Sequence, residues 1–276
     1  MTAIDQPPNP VFPSGNGDLA LGIAVIVFMS IALYNAVELS VLIPLSFKRY
    51  SSLYFWALVI STVLGVIPAT IGPGLQFFNL APLWLSLTLS NIGFICMVPN
   101  QSIVLYSRLH LICLSSMVLT TVRWVMILGG FVLIPVIIFN YGSSYLPHQS
   151  SWTSGFQAME RVQLTWFSTQ EMFISAIYIW ETVKLIRLSP HGDKRRHKIL
   201  YELIAINAAA IGMDISLLVL EYLGYYFTQV IFKATVYSIK LKLEFAVLGM
   251  LVSIVQSGAS PGPPAWQADW TTSTFT

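Results

Sequence analysis

Residues 19–46 read LALGIAVIVFMSIALYNAVELSVLIPLS, twenty-eight positions with one charged side chain, Glu38. A helix rises 1.5 Å per residue, so about 20 apolar residues cross a hydrocarbon core roughly 30 Å thick. This stretch is long enough with turns to spare. Six further runs share its character, at roughly 51–74, 82–107, 113–140, 163–187, 199–223 and 229–256. The fold expected is therefore all-α, a polytopic transmembrane bundle of seven helices over residues 19–256. Flanking tails at 1–18 and 257–276, rich in Pro, Ser, Thr and Gly, read as disordered.

Composition supports the same reading. Apolar residues make up 55% of the chain and charged residues 9%, with a mean hydropathy of +0.72. Soluble domains carry about 25% charged residues, so this chain has too little charge to clothe a water-facing surface. A soluble enzyme, a nucleic-acid binder and a disordered chain are excluded, and membrane lipid becomes an obligatory partner. Of the two cysteines, Cys96 and Cys113, the first lies in an apolar run, which excludes a disulfide framework. Pro68, Pro99 and Pro135 fall inside spans and are expected to kink them. The stretch Ile71-Gly72-Pro73-Gly74, followed by Pro82, supplies turn signals between spans two and three.

Basic residues set the orientation. Ten of the fourteen Lys and Arg flank the loops after spans one, three and five: Lys48, Arg49, Arg108, Arg123, Lys184, Arg187, Lys194, Arg195, Arg196 and Lys198. The opposite side holds Arg161 and, at the edge of span seven, Lys233. The positive-inside rule places the N-terminus in the lumen or outside and the C-terminus in the cytosol. No Lys or Arg precedes span one, which therefore reads as an uncleaved signal anchor, with the endoplasmic reticulum or another endomembrane as the expected location. The run Pro190–Lys198 reads as a topogenic cytosolic loop. The acceptor pattern Asn100-Gln101-Ser102 lies within span three, out of reach of glycosylation.

Charge inside a membrane costs about 2.5–3.5 kcal/mol per residue at the helix centre, so ionisable residues there demand an explanation. Span one carries Tyr34, Asn35 and Glu38 on one face; span five carries Gln170, Glu171 and Glu181. Asn207, Asp214 and Glu221 recur every seven residues in span six. Lys233, Tyr237, Lys240 and Glu244 step by four, three and four in span seven. Lys240 and Glu244 form an expected i,i+4 pair, Asp214 is a candidate to neutralise Lys233 or Lys240, and Lys242 points towards lipid or another helix. Ion pairs that lock the bundle account for several of these residues. Yet Glu38, Glu171, Asp214, Glu221 and Glu244 outnumber Lys233, Lys240 and Lys242, so at least two carboxyls are expected to be neutral or to share a proton. A carboxylic acid kept neutral in an apolar site is suited to general-acid chemistry. Among the 36 aromatic residues, Trp166, Phe167, Phe173, Tyr178, Trp180, Tyr222 and Tyr237 are candidates to line a cavity and stabilise a carbocation. The four His lie at span ends or in loops and no Asp-rich diphosphate motif occurs, so neither a metal nor another cofactor is expected.

Two stretches carry a resemblance: Tyr34-Asn35-Ala36-Val37-Glu38-Leu39, and Tyr237-Ser238-Ile239-Lys240-Leu241-Lys242-Leu243-Glu244-Phe245. Over roughly residues 19–256 the chain resembles fungal integral-membrane proteins of similar length that occur in secondary-metabolite pathways. Among them it looks like the small membrane-bound terpene cyclases of meroterpenoid biosynthesis, of the kind used in the ascofuranone pathway. The resemblance implies a lipophilic prenylated substrate and protonation of a terminal epoxide by one Glu and one Asp in separate helices. Glu38 and Asp214 are the analogous pair, with Glu171 and Glu221 as further candidate acids. Asn35, Tyr237, Lys240 and Glu244 are the candidate substrate-binding residues. The alternative is a seven-helix receptor-like protein or transporter that uses the same polar stripes for a ligand or for protons, and a structural subunit is a third possibility. A retinal protein or a G-protein-coupled receptor matches on topology alone: Val236 stands where a retinal protein wants an acid, and no acid precedes Arg108.

The basic-residue asymmetry can be checked by inserting a glycosylation acceptor into the 1–18 tail or into the 188–198 loop. The tail acceptor is expected to be modified and the loop acceptor to stay bare; the reverse pattern would invert the orientation.

Overall fold

A computed structural model describes residues 19–46, 53–112, 116–145, 149–188, 194–223 and 226–258. They form seven helices: α1 (Leu19–Ser46), α2 (Leu53–Phe77), α3 (Leu83–Ile112), α4 (Ser116–Tyr145), α5 (Gln149–Leu188), α6 (Lys194–Tyr222) and α7 (Tyr226–Gly258). Six of them coincide with the expected spans to within a few residues. The fifth begins fourteen residues before the expected position of 163. Residues 149–162 lack an apolar run, but their aromatic side chains pack on α4. Trp152 lies 5.6 Å from Phe139, ring centroid to centroid, and Phe156 is buried. Tertiary packing sustains this helix beyond the apolar run that marks it. Most of the expected tails, like Cys113, His148, Tyr225 and residues 189–193 of the basic run, lie outside the described residues.

The turn signals at residues 71–74 do not end α2, which runs on to Phe77. Its end is set instead by Asn79, the one non-glycine residue with positive φ (50°) among the described residues. Leu80 N–H reaches back to the Leu75 carbonyl at 3.0 Å and Asn79 N–H to that of Gln76 at 3.3 Å, the paired bonds of a left-handed C-cap. Pro68 acts on the turn before it. Ile60–Val66 is wound as a π-helix, and Ile67 N–H bonds to the Thr62 carbonyl, five residues back. The wide turn lies where the Pro68 ring would otherwise meet the carbonyl of Leu64.

Neighbouring helices pack in chain order from α1 to α7, and α7 closes on α1 and reaches α2. α3 is the central element, in contact with α2, α4, α5 and α7. One apolar core joins α1, α2, α3 and α7 through residues such as Leu39, Leu58, Met97 and Leu241, and a second joins α3, α5 and α6 through Leu109, Ile174 and Leu203. Small residues let α2 and α3 approach closely. A methyl group on Gly93 would run into the backbone of Ala69, and one on Gly65 would stand 3.0–3.1 Å from Met97.

Helices α1, α2, α3, α4 and α6 are each long and apolar enough to cross a membrane. The chain is an integral membrane protein. α5 and α7, at 40 and 33 residues, also have spanning length, but they carry most of the buried charge. They reach the bilayer only with those charges turned inward.

The α2–α3 approach makes a measurable demand. Gly93→Ala is expected to destabilise the bundle by about 1–3 kcal/mol through overpacking. Gly212→Ala, with no atom within 4 Å of the added methyl, is expected to be neutral or to stabilise by up to about 1 kcal/mol. Thermal unfolding in detergent, followed by tryptophan fluorescence, compares them; equal midpoints would contradict the packing.

Candidate functional site

Lys240 stands at the centre of the buried charge. Its ammonium donates to Glu171 Oε2 of α5 at 2.6 Å and to Asp214 Oδ1 of α6, so one cation serves two carboxylates from two other helices. Tyr237, one turn earlier on α7, donates its hydroxyl to Glu171 Oε1 at 3.1 Å, and its ring lies 5.2 Å from the Lys240 ammonium. All four side chains are buried, none more than 2% exposed. Two carboxylates thus meet one ammonium in the buried interior.

A second cluster lies further along α7. Arg108 of α3 donates from Nη2 to Glu244 Oε1 at 2.9 Å and to Asn207 Oδ1 of α6 at 3.3 Å, and its Nε stands 2.5 Å from Glu244 Oε2 as an ion pair. The Tyr178 ring stacks 4.9 Å from the guanidinium, and Tyr54 of α2 donates to the Glu244 carbonyl at 2.9 Å. The expected Lys240–Glu244 pair therefore does not form. Each side chain finds a better partner on a neighbouring helix: two carboxylates for the ammonium, a forked guanidinium for the acid. Arg108 is also no loop residue; it is 1% exposed inside the bundle.

The other candidates separate from this centre. Glu38 of α1 pairs with Lys242 at 2.6 Å on the flank of the bundle, and Asn35 donates to Ser238 Oγ at 3.2 Å between α1 and α7. Glu221 lies 3.7 Å from Arg161 at the far end of α6. Lys233 is buried over the Phe94 ring at 4.8 Å, at one end of the α7 stripe. Of the eight candidate residues, Glu171, Asp214, Tyr237 and Lys240 come together; Glu244, Asn35, Glu38 and Glu221 are held elsewhere. Among the described residues, no three His, Cys, Asp or Glu side chains converge as a metal-holding group.

Two cavities lie in the bundle, neither of them lined by Glu171, Asp214, Tyr237 or Lys240. The first, about 60 Å³, lies between the ends of α2, α3, α4, α5 and α7 and is lined by Gln76, Asn91, Asn140, Glu160, Gln163 and Lys233, among others. At roughly 10–15 Å³ per water, it holds a handful of waters and not a large ligand. The second is a groove of about 620 Å³ on the outer face of α4 and α5, lined by Thr121, Val125, Arg161, Thr165, Trp166, Gln170, Phe173 and Tyr222. Gln170 turns inward, donating to Ser102 Oγ at 2.8 Å, while its Oε1 stays buried without a partner. Trp166, Phe173 and Tyr222 thus line a cavity as expected. Phe167, Tyr178 and Tyr237 are packed in the interior, and Trp180 is exposed.

Sequence reasoning missed Arg108, Glu160 and Gln163, all buried polar residues. One signal was available: Gln101 and Arg108 stand seven residues apart, the spacing that marks the Asn207, Asp214 and Glu221 stripe.

The pairing predicts which substitutions are coupled. Arg108→Met or Glu244→Gln alone leaves a buried charge unpartnered and is expected to lower stability by about 3–5 kcal/mol. The double variant should recover part of that loss, whereas Lys240→Met and Glu244→Gln should be close to additive. Thermal midpoints of the five variants, three single and two double, arranged as two double-mutant cycles, decide it.

No curated protein and no solved structure matches this chain. A family model does match, over residues 18–262. By that match the chain belongs to the family described as Domain of unknown function (DUF7703).

Proposed function

We propose that the chain is a membrane-embedded terpene cyclase that opens a prenyl epoxide by protonation, with Glu171 and Asp214 holding the proton between them. One observation carries the reading: two carboxyls bind one ammonium in a site closed to water. Two carboxyls on one ammonium carry one negative charge in excess, which a single proton shared between them would remove. Lys240 positions both carboxyls, and Tyr237 fixes the orientation of Glu171. Glu171 takes the place expected for Glu38, which lies on the flank with Lys242.

The outer groove supports this reading. Its volume falls in the range of small-molecule sites, and it faces the lipid in which a prenylated amphiphile dissolves. Trp166, Phe173 and Tyr222 offer ring faces to a developing cation; the Glu171 and Asp214 carboxyls do not themselves line the groove, so the epoxide must reach past Gln170 on its wall. The proton passes to the epoxide oxygen, and the C–O bond breaks as an alkene or hydroxyl of the same molecule attacks the opening carbon. The last proton returns to the vacated carboxylate, so the cycle is proton-neutral. An endomembrane such as the endoplasmic reticulum goes with a lipid-soluble substrate of secondary metabolism.

One observation favours a second reading, a receptor-like protein or transporter. The inward stripe from Lys233 to Glu244 runs about 16 Å along α7 and joins the water-sized cavity to the Arg108 cluster. A polar column through a bundle also suits proton or ion passage.

The test is expression in a heterologous fungus fed with prenyl epoxides of graded chain length. Asp214→Asn and Glu171→Gln are expected to insert and fold, yet to cut cyclised product by about 10²–10⁴-fold, the usual loss of a general acid. Glu181→Gln, near the end of α5, serves as the unaffected control. Folded amide variants that cyclise at the wild-type rate would sink the assignment. Absence of product from the wild type, together with a membrane pH gradient it dissipates, would favour the second reading.

A further inference from the structure

Among the described ion pairs that join two helices, those of Arg108 and Lys240 are withdrawn from lipid and Arg161–Glu221 leaves only its arginine exposed, at 49%, whereas one pair leaves both partners exposed. Lys242 and Glu38 are paired at 2.6 Å across the contact between α7 and α1, yet their side chains remain 41% and 30% exposed. Those of Arg108, Glu171, Asp214, Lys240 and Glu244 are 1–3% exposed. Depth does not explain the difference. Glu38 lies eight residues from the end of α1, about 12 Å of helix, and Lys242 sixteen residues from either end of α7, about 24 Å. Glu38 falls inside the Gly22–Ser46 span, which places the pair within the spanning part of the bundle, where exposed charge is costly and lipid tails offer no partner.

The surrounding surface is shaped for close approach. Tyr34, one turn before Glu38, is 67% exposed, with its ring 5.7 Å from the Lys242 ammonium. On α7, Ala246 and Gly249 follow Lys242 at four and seven residues, so the three share a face, and both small residues are exposed. No atom lies within 4 Å of the position a Gly249 side chain would take. Small residues on an outward helix face let a second helix backbone come near.

We infer that the α1–α7 face binds a second copy of this chain across a two-fold axis. The face presents one acid and one base side by side, so it is complementary to itself. A half-turn about an axis beside the pair brings Lys242 of one copy to Glu38 of the other and closes a ring of four alternating charges. That ring covers what each copy alone exposes to lipid, while Ala246 and Gly249 admit the partner helix. The inference is independent of the cyclase reading, because neither residue belongs to the Glu171–Lys240–Asp214 centre.

The test uses the full chain, fluorescently labelled and reconstituted in liposomes at graded dilution, with photobleaching steps counted for single particles. Wild type is expected to bleach in two steps, and Glu38→Gln/Lys242→Met to dissociate at lipid dilutions at least about tenfold lower. The charge-swapped variant Glu38→Lys/Lys242→Glu keeps the self-complementary pair and is expected to restore two-step bleaching. Gly249→Cys, with Cys96 and Cys113 replaced by Ser, should cross-link to itself in native membranes, which supports the inference even where a charge variant fails to fold. Single-step bleaching of wild type at every dilution would overturn it, as would unchanged association of the neutralised variant. Cross-linking of Gly249→Cys to a different protein, with no self-linked species, would overturn it as well.

Discussion

The ammonium of Lys240, shared between Glu171 and Asp214, is the contact on which the interior of this bundle depends. Hydrocarbon supplies no partner for a charge, so every ionisable group at that depth must find one within the protein. α5 and α7 are the two helices not apolar enough to span on composition alone. Their charges meet at this point, so each removes the obstacle to burying the other. α6, the third arm, brings Asp214 to the same cation. Loss of Lys240 would strand both carboxylates, the costly case for a buried ion pair.

Along α7 the polar stripe resolves into three levels. Lys233 borders the small cavity near one end, Lys240 and Tyr237 occupy the middle, and Glu244 meets Arg108 beyond. The levels do not interchange partners. A guanidinium spreads its charge over a planar group, so Arg108 pairs with the Glu244 carboxylate and donates to Asn207 as well. Glu244 is therefore held by Arg108 although Lys240 is one turn away on its own helix. This sorting leaves the middle level with two carboxylates on one ammonium.

Much of this was legible in advance. The seven helices follow from apolar runs of spanning length, and the inward faces of α6 and α7 follow from spacings of seven and of four, three and four. Asp214 beside Lys240 was among the expected neutralising pairs. The pairing of Glu38 with Lys242, the capture of Glu244 by Arg108 and the burial of Glu160 were not foreseen. Arg108 was read as a loop-flanking charge because it stands at the end of an apolar run, and its burial became visible only once α6 and α7 were packed around it. The start of α5 was misplaced for a related reason: residues 149–162 are helical through contacts with α4.

The sequence by itself determined that the chain lives in a membrane, that it crosses as helices, and which side of α6 and α7 avoids lipid. These properties come from composition and from the 3.6-residue repeat, which are local and periodic. Tertiary structure alone decided which charge meets which. Pairing depends on the order of helices around α3, on their relative height and on their rotation about their own axes. A shift of one turn, about 5.4 Å, would hand Lys240 a different partner while leaving every helical stripe unchanged.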